Sequence, residues 1–327
     1  MSWNLLPEDT ATIPEDWFQA QYGRNYRSTV HEACHKKEIA ALRCFANGET
    51  SVDEAAYAIT QPISTTSIQD TGDYSDDCFA LCHLWTLFMR ALMQWPSTRT
   101  SDLIALLTAV SRTEDPIHRG EFLDDDDEEP VPWAQLPHFN LPWSDAFWMT
   151  PGQIMRRATD AAAERQAHQI YVKQQDIESR LVAARLVWDE KRAIRYLMRT
   201  LEKTPTAEDQ RIATSDGDAE DQLKLEMQIP AACNWILRNG GRIYHRLLDI
   251  RDWQRRDIPA MALRFDQPID RWTHWQNRLL ELAEDDSLED AIREIARDTA
   301  EHMQAIEVTE NNTLKCASGS KSTPHQL

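Results

Sequence analysis

The segment His31–His35 reads His-Glu-x-x-His, which is a pattern that could support zinc chemistry. Two histidines four positions apart share one face of a helix and can bind zinc while the glutamate activates water, and Glu54 could supply a third ligand. However, His31 and His35 lie roughly 100° and 140° from Val30, the axis of the apolar stripe, so we expect them to face water. Ser51 and Glu54 also match a capping box, which explains Glu54 without a metal. We therefore predict no metal site, and a zinc-dependent hydrolase using His31, His35 and Glu54 stays a less favoured alternative.

Two further patterns resemble metal motifs. The run Asp124–Glu129 contains the Asp-Asp-x-x-Asp/Glu spacing with which terpene cyclases hold magnesium, but it stands among prolines and no second metal motif follows. A run of six like charges is typical of a solvated loop. The pattern Cys78-x-x-x-Cys82-His83 has no second Cys or His pair beside it, so core packing is favoured over metal binding.

A polar band runs along the helix predicted over residues 77–95. His83, Thr86, Arg90 and Gln94 fall within about 80° of one another on a helix that is otherwise apolar. The favoured interpretations are that the band faces solvent or forms a buried hydrogen-bonded seam. The alternative is that it lines a pocket in which Arg90 holds an anionic group and His83 moves a proton. Aromatic residues near Gly240-Gly241 could wall such a pocket, although core packing is the favoured interpretation. The predicted ligand-binding residues are therefore His83, Thr86, Arg90, Trp235 and Tyr244.

Helical periodicity along the chain predicts the elements that position these residues. Apolar residues recur every third or fourth position in most segments, glycines number only nine and β-branched alternation is scarce. We predict an all-α protein, an irregular multi-helix bundle with long acidic loops near 114–150 and 204–220. A helix is expected to end before Pro62 and another to break at Gly240-Gly241. Residues 1–24 form an N-terminal segment, residues 25–307 a single helical domain, and residues 308–327 a disordered tail.

Charge and composition exclude several classes of function. The 327 residues carry 35 Lys and Arg against 54 Asp and Glu, which gives a net charge of −19. Such a surface repels nucleic-acid phosphates and anionic lipids, so we predict neither a nucleic-acid nor a membrane partner. No signal peptide or membrane span is recognised, so a cytoplasmic location is expected, with the nucleus left open. The six cysteines are expected to be reduced.

Three segments carry a resemblance to a known family. They are Ser51–Thr60, then Ala231–Ile236 followed by Gly240-Gly241 and Tyr244, and finally Arg271–Arg278. On these segments the chain resembles the fungal family catalogued as domain of unknown function 3632, over most of residues 15–307. The shared features are helix caps, tryptophans and glycines. The resemblance implies a fungal, all-helical domain and supplies no activity or catalytic residue.

The functional prediction is a non-catalytic binding or accessory protein. Its partner is expected to be a protein or a small hydrophobic molecule, and no cofactor is predicted. A link to a fungal metabolic pathway is implied only by the resemblance. The alternative is an enzyme, either a metal-free cyclase or isomerase acting on a hydrophobic intermediate, or the zinc hydrolase described above. The sequence leaves the oligomeric state open.

Overall fold

A computed structural model describes residues 5–22, 29–65, 75–114, 132–149, 153–154, 158–188, 190–202, 225–249, 265 and 267–319. These residues form α-helices and shorter helical turns and contain no β-strand, so the predicted all-α class is confirmed. None of the described helices is long and apolar enough to cross a membrane. Residues 115–131 of the first predicted acidic loop (114–150) and the whole of the second (204–220) lie outside the described residues.

Contacts within the chain divide it into two compact units. Unit 1 comprises Met1–Met149 and Arg180–Val187, and unit 2 comprises Thr150–Ser179 and Trp188–Leu327. The single helical domain over residues 25–307 stays a prediction.

Unit 1 is built on four longer helices around a core rich in tryptophan. The helices are α1 (Glu15–Gln19), α2 (Thr29–Ala46), α3 (Val52–Thr65), α4 (Ser75–Gln94) and α5 (Thr100–Val110). Helix α2 packs against α3 and α4, and α5 also packs against α3 and α4. A segment of short turns follows α5 and includes Trp133–Gln135, Asn140–Pro142 and the π-helical turn Trp143–Phe147. Trp133 and Trp143 are fully buried, so this segment covers the core with aromatic side chains.

Unit 2 contains the remaining helices. They are α6 (Ala161–Ala183, of which unit 2 includes the part up to Ser179), α7 (Glu190–Leu201), α8 (Leu225–Leu248), α9 (Asp270–Ala283) and α10 (Asp290–Gly319). Helix α10 packs against both α8 and α9, and α7 also packs against α8 and α9. The core includes the fully buried Trp235, Trp272 and Trp275.

Two predicted helix ends are wrong. Helix α3 continues past Pro62 to Thr65, because Ile59, Pro62 and Ile63 are all buried and their packing extends the apolar face beyond the proline. Helix α8 runs without a break through Gly240 and Gly241. The first glycine has a packing role, since a Cβ at Gly240 would stand 2.6 Å from Cδ1 of Ile306 on α10.

The C-terminal segment also differs from its prediction. A disordered tail is predicted from residue 308, whereas α10 continues to Gly319. His245 Nε2 on α8 lies 3.0 Å from Glu310 Oε2, so this part of α10 still contacts α8. Residues 320–327 of the predicted tail lie outside the described residues.

Candidate functional site

The polar band on α4 is a hydrogen-bonded seam against the N-terminal segment. The Trp17 indole donates to the Gln94 side chain at 2.9 Å, and Arg90 Nη1 donates to Gln21 Oε1 at 3.2 Å. The Thr86 hydroxyl donates to the Cys82 carbonyl within α4. Buried polar groups usually find partners inside the protein, and this band follows that rule. The seam is one of the interpretations that the sequence leaves open for these residues.

His83, at the start of the band, lies beside a buried acid–base pair. His35 Nδ1 and Glu38 Oε2 are 3.0 Å apart, and the exposed fractions of the two residues are 3% and 1%. The rings of His35 and His83 have centroids 5.6 Å apart. Burial raises the pKa of Glu38, and the hydrogen bond with His35 opposes that rise.

The prediction that His35 faces water is therefore wrong. The apolar stripe of α2 was centred on Val30 and included Ala33, but Ala33 is exposed while Cys34, His35 and Glu38 are buried. The physical reason is that α2 packs against both α3 and α4, so the flank that carries His35 is covered as well.

Glu54, the third ligand of the zinc hypothesis, is held in a capping box. Ser51 N and Ser51 Oγ each donate to Glu54 Oε2 at 2.8 Å, and Glu54 N donates to Ser51 Oγ at 3.3 Å, which confirms the capping box. The side chain of His31 lies outside the described residues. In the described part of the chain, no group of three or more His, Cys, Asp or Glu side chains could hold a metal ion.

The two predicted aromatic residues belong to the core of unit 2. The Trp235 indole donates to Gln175 Oε1 at 3.0 Å, and Tyr244 packs edge-on against Trp272 with ring centroids 5.2 Å apart. His83, Thr86 and Arg90 belong to unit 1, so the five residues do not form one cluster inside either unit. Their role in ligand binding stays a prediction.

A groove of about 710 Å³ lies on unit 1, open to solvent on one side. Ligand pockets commonly have volumes of about 300–1,000 Å³, so the groove can accommodate a small organic molecule. It is formed where the C-terminal end of α2, the turn before α3 and the first turns of α3 and α5 meet the N-terminal segment. The lining residues are Ala11, Thr12, Phe45, Ala46, Asn47, Gly48, Glu49, Thr50, Ser51, Val52, Arg99, Asp102 and Ala105.

The turn at one end of the groove is held by backbone geometry. Gly48 has a φ of 72°, a conformation that residues with a Cβ rarely adopt, and its N–H donates to the Phe45 carbonyl at 3.0 Å. Glu49 N donates to the Cys44 carbonyl at 2.9 Å. These bonds cap the end of α2 and fix the backbone that carries Glu49.

The charged side chains of the groove differ in how they are compensated. Arg99 Nη2 donates to the Ala46 carbonyl at 2.5 Å, and Arg99 Nη1 lies 3.3 Å from Asp102 Oδ2. Glu49 accepts a hydrogen bond from the Asn47 amide at 3.0 Å, and this bond is the main cause of the lowered pKa of Glu49. Within the described residues Glu49 forms no ion pair.

This groove is not among the features predicted from the sequence, in which Asn47-Gly48 is typical of a helix end and Arg99 belongs to no motif. A weak signal is present, because Glu49 and Arg99 each stand a few residues after a segment with helical periodicity. Their proximity depends on how α2, α3 and α5 pack, which the order of residues does not give.

The protein is therefore all-helical, and unit 1 carries an open groove of ligand size that is lined by both polar and apolar groups. Its described part contains no cluster of side chains that could hold a metal ion. The sequence model of the family described as "Protein of unknown function (DUF3632)" matches residues 85–279, which is more than half of the chain. The chain therefore belongs to this family. No curated protein and no solved structure matches it. The fungal origin implied by the resemblance stays a prediction.

Proposed function

We propose that this chain is a non-catalytic binding protein whose ligand, a small molecule, enters the groove of unit 1. The observation that carries the proposal is the groove itself, which has the volume of a ligand pocket and is open to solvent. Its backbone is fixed by hydrogen bonds, and a site that is formed in advance loses less entropy when a ligand binds.

The side chains along the groove support binding over catalysis. The lining carries the hydroxyls of Thr12, Thr50 and Ser51, and Ser51 donates to the carboxylate of Glu54. Hydrogen bonds from the Ser51 backbone and hydroxyl lower the pKa of Glu54, so this carboxylate is a weaker base than an ordinary glutamate. A serine activated for attack needs a base whose pKa is close to the working pH.

Reactive groups elsewhere in the described chain are also constrained. Burial raises the pKa of Cys233 to about 12, so its thiol stays protonated at neutral pH. Burial also raises the pKa of Tyr196 well above its ordinary value, and its hydroxyl lies 3.1 Å from that of Tyr171. Neither residue is prepared to act as a nucleophile.

An enzyme is the second candidate, and one observation favours it. The His35–Glu38 pair has the composition of an acid–base pair, and the ring of His83 lies nearby. Against this candidate, the Glu38 side chain is only 1% exposed, so a substrate does not reach its carboxyl group in this conformation.

The test is equilibrium dialysis of the full chain against a small-molecule extract of its native cells, followed by mass spectrometry of retained compounds and of the bath. A binding protein retains at most about one equivalent of a compound and returns it with unchanged mass. Time-dependent conversion of many equivalents into a product of different mass would show catalysis and overturn the proposal. Retention of no compound would also contradict it.

A further inference from the structure

The charge balance of the groove indicates which ligands it prefers. The guanidinium of Arg99 is compensated by Asp102 at 3.3 Å and is also hydrogen-bonded to the Ala46 carbonyl. The carboxylate of Glu49 receives a hydrogen bond from the neutral Asn47 amide and forms no ion pair within the described residues. The charge of Arg43, which lies outside the lining and is paired with Glu15, also acts on Glu49, but Glu49 has no ion-pair partner of its own in the described part of the chain.

The charge of Glu49 is present under ordinary conditions. Hydrogen bonds from Asn47 and Cys44 lower the pKa of Glu49, so its side chain stays ionised at neutral pH. The net charge of −19 for the whole chain adds a long-range field that attracts cations and repels anions at low salt.

The remaining lining is partly apolar. Phe45 and Val52 are half-buried, and Ala105 and Ala11 are exposed, so carbon surface faces the groove from α2, α3, α5 and the N-terminal segment. A ligand that fits both features carries an apolar body and a positive charge. A carboxylate of the same size would meet the unpaired Glu49 and be repelled.

We propose that the groove binds small organic amines in their ammonium form, with the charged nitrogen next to Glu49 and the apolar body against Phe45, Val52 and Ala105. The inference rests on the proposed function and narrows its ligand to one chemical class. Because Glu49 is exposed, its charge contributes selectivity more than affinity, and the apolar walls supply most of the binding.

The experiment uses three probes that share a phenyl body and differ in charge: phenethylamine, phenethyl alcohol and hydrocinnamate. Binding to the full chain is followed by NMR chemical-shift titration at low ionic strength. We expect phenethylamine to bind with a Kd on the order of 1 mM, the alcohol more weakly and the carboxylate most weakly. The preference for the amine should shrink at about 1 M salt, where the Debye length is about 3 Å.

Two pairs of variants locate the site. Ala105→Trp places a large ring into the groove and should weaken amine binding at least about tenfold, whereas Ala58→Trp changes another exposed alanine, on α3, that does not line the groove. Glu49→Gln should weaken the amine about two- to five-fold and leave the alcohol unchanged. Asp53→Asn removes the same charge outside the lining and is the matched control. Because Gln has the shape of Glu, this second pair does not depend on whether the tryptophan variants fold.

The outcomes separate this inference from the proposed function. Equal affinity for the three probes, or an amine affinity that is the same in Glu49→Gln and Asp53→Asn, overturns the preference for amines. If Ala105→Trp still abolishes probe binding in that case, the groove remains a binding site and the proposed function stands. Failure of phenethylamine to shift any resonance of the lining overturns the inference. Chemical conversion of retained compounds overturns the proposed function alone.

Discussion

The buried ion pair between α7 and α9 gives the sharpest prediction about stability. Arg271 Nη1 donates to both carboxylate oxygens of Glu202 at 3.2 and 3.1 Å, and the Trp275 indole donates to Glu202 Oε1 at 2.9 Å. The exposed fractions of the Arg271 and Glu202 side chains are 4% and 2%. Burial lowers the pKa of Arg271, and the charge of Glu202 opposes that effect. Each charge therefore depends on the other to compensate its removal from water.

Glu202→Leu should lower the free energy of unfolding by about 3–5 kcal/mol, because it removes the carboxylate that pairs with the buried Arg271 cation. Arg271→Met should lower the free energy of unfolding by a similar amount at neutral pH. The double variant should lose only about 1–3 kcal/mol, since both charges of the pair are gone and the Trp275 N–H lacks its acceptor. Replacing both ions with apolar groups of similar size removes the desolvation cost along with the attraction.

The assay is urea unfolding of the wild-type chain, the two single variants and the double variant, monitored by tryptophan fluorescence. Each single change should lower the urea midpoint by about 1–2 M, for a dependence of the free energy of unfolding on urea of about 3 kcal/mol per M. The double-mutant cycle should give a coupling free energy of at least about 2 kcal/mol. Losses that simply add, or single variants that lose less than about 1 kcal/mol, would refute the reasoning about these charges.

Three further predictions concern individual helices. Gly241→Ala should raise the free energy of unfolding by about 0.5–1 kcal/mol, and with it the melting temperature, because nothing lies within 4 Å of the added Cβ. Gly240→Ala should gain less stability, since its added Cβ meets Ile306. Equal effects of the two variants in thermal melts would contradict this. Ser51→Ala should cost about 1 kcal/mol in urea unfolding through loss of the cap, and an unchanged midpoint would disprove that role. Burial raises the pKa of Glu38 above its ordinary 4.5, so the folded state binds the proton of this carboxyl more tightly than the unfolded state does. The stability from this group is therefore present below pH 4.5 and is lost as the pH rises through the raised pKa of the folded state. Glu38→Gln should lose less stability than wild type between acidic and neutral pH, and parallel pH profiles would argue against it.

The features that sequence predicts best are local. The capping box of Ser51 and Glu54 depends on residues three positions apart, and its hydrogen bonds are as expected. The all-α class follows from apolar residues that recur every third or fourth position, and the described helices confirm it. Both inferences need only short-range information.

The features that sequence missed depend on packing between distant segments. The burial of His35 follows from two helices covering α2, and a helical wheel built on one stripe does not show the second contact. The continuity of α8 at Gly240 requires the close approach of Ile306. The groove brings Ala11, Glu49 and Arg99 together from three parts of the chain. Periodicity gives the faces of helices, and it does not give which faces meet.

The most direct test compares the groove with the polar seam of α4 in one titration. Phenethylamine is titrated into Ala105→Trp, which fills the groove, and into Arg90→Met, which removes the hydrogen bond to Gln21 in the seam. We expect Ala105→Trp to lose amine binding, while Arg90→Met binds the amine like wild type and loses only about 1 kcal/mol of stability. Loss of binding in Arg90→Met together with unchanged binding in Ala105→Trp would contradict the proposed site in the groove, because the ligand would then occupy the seam.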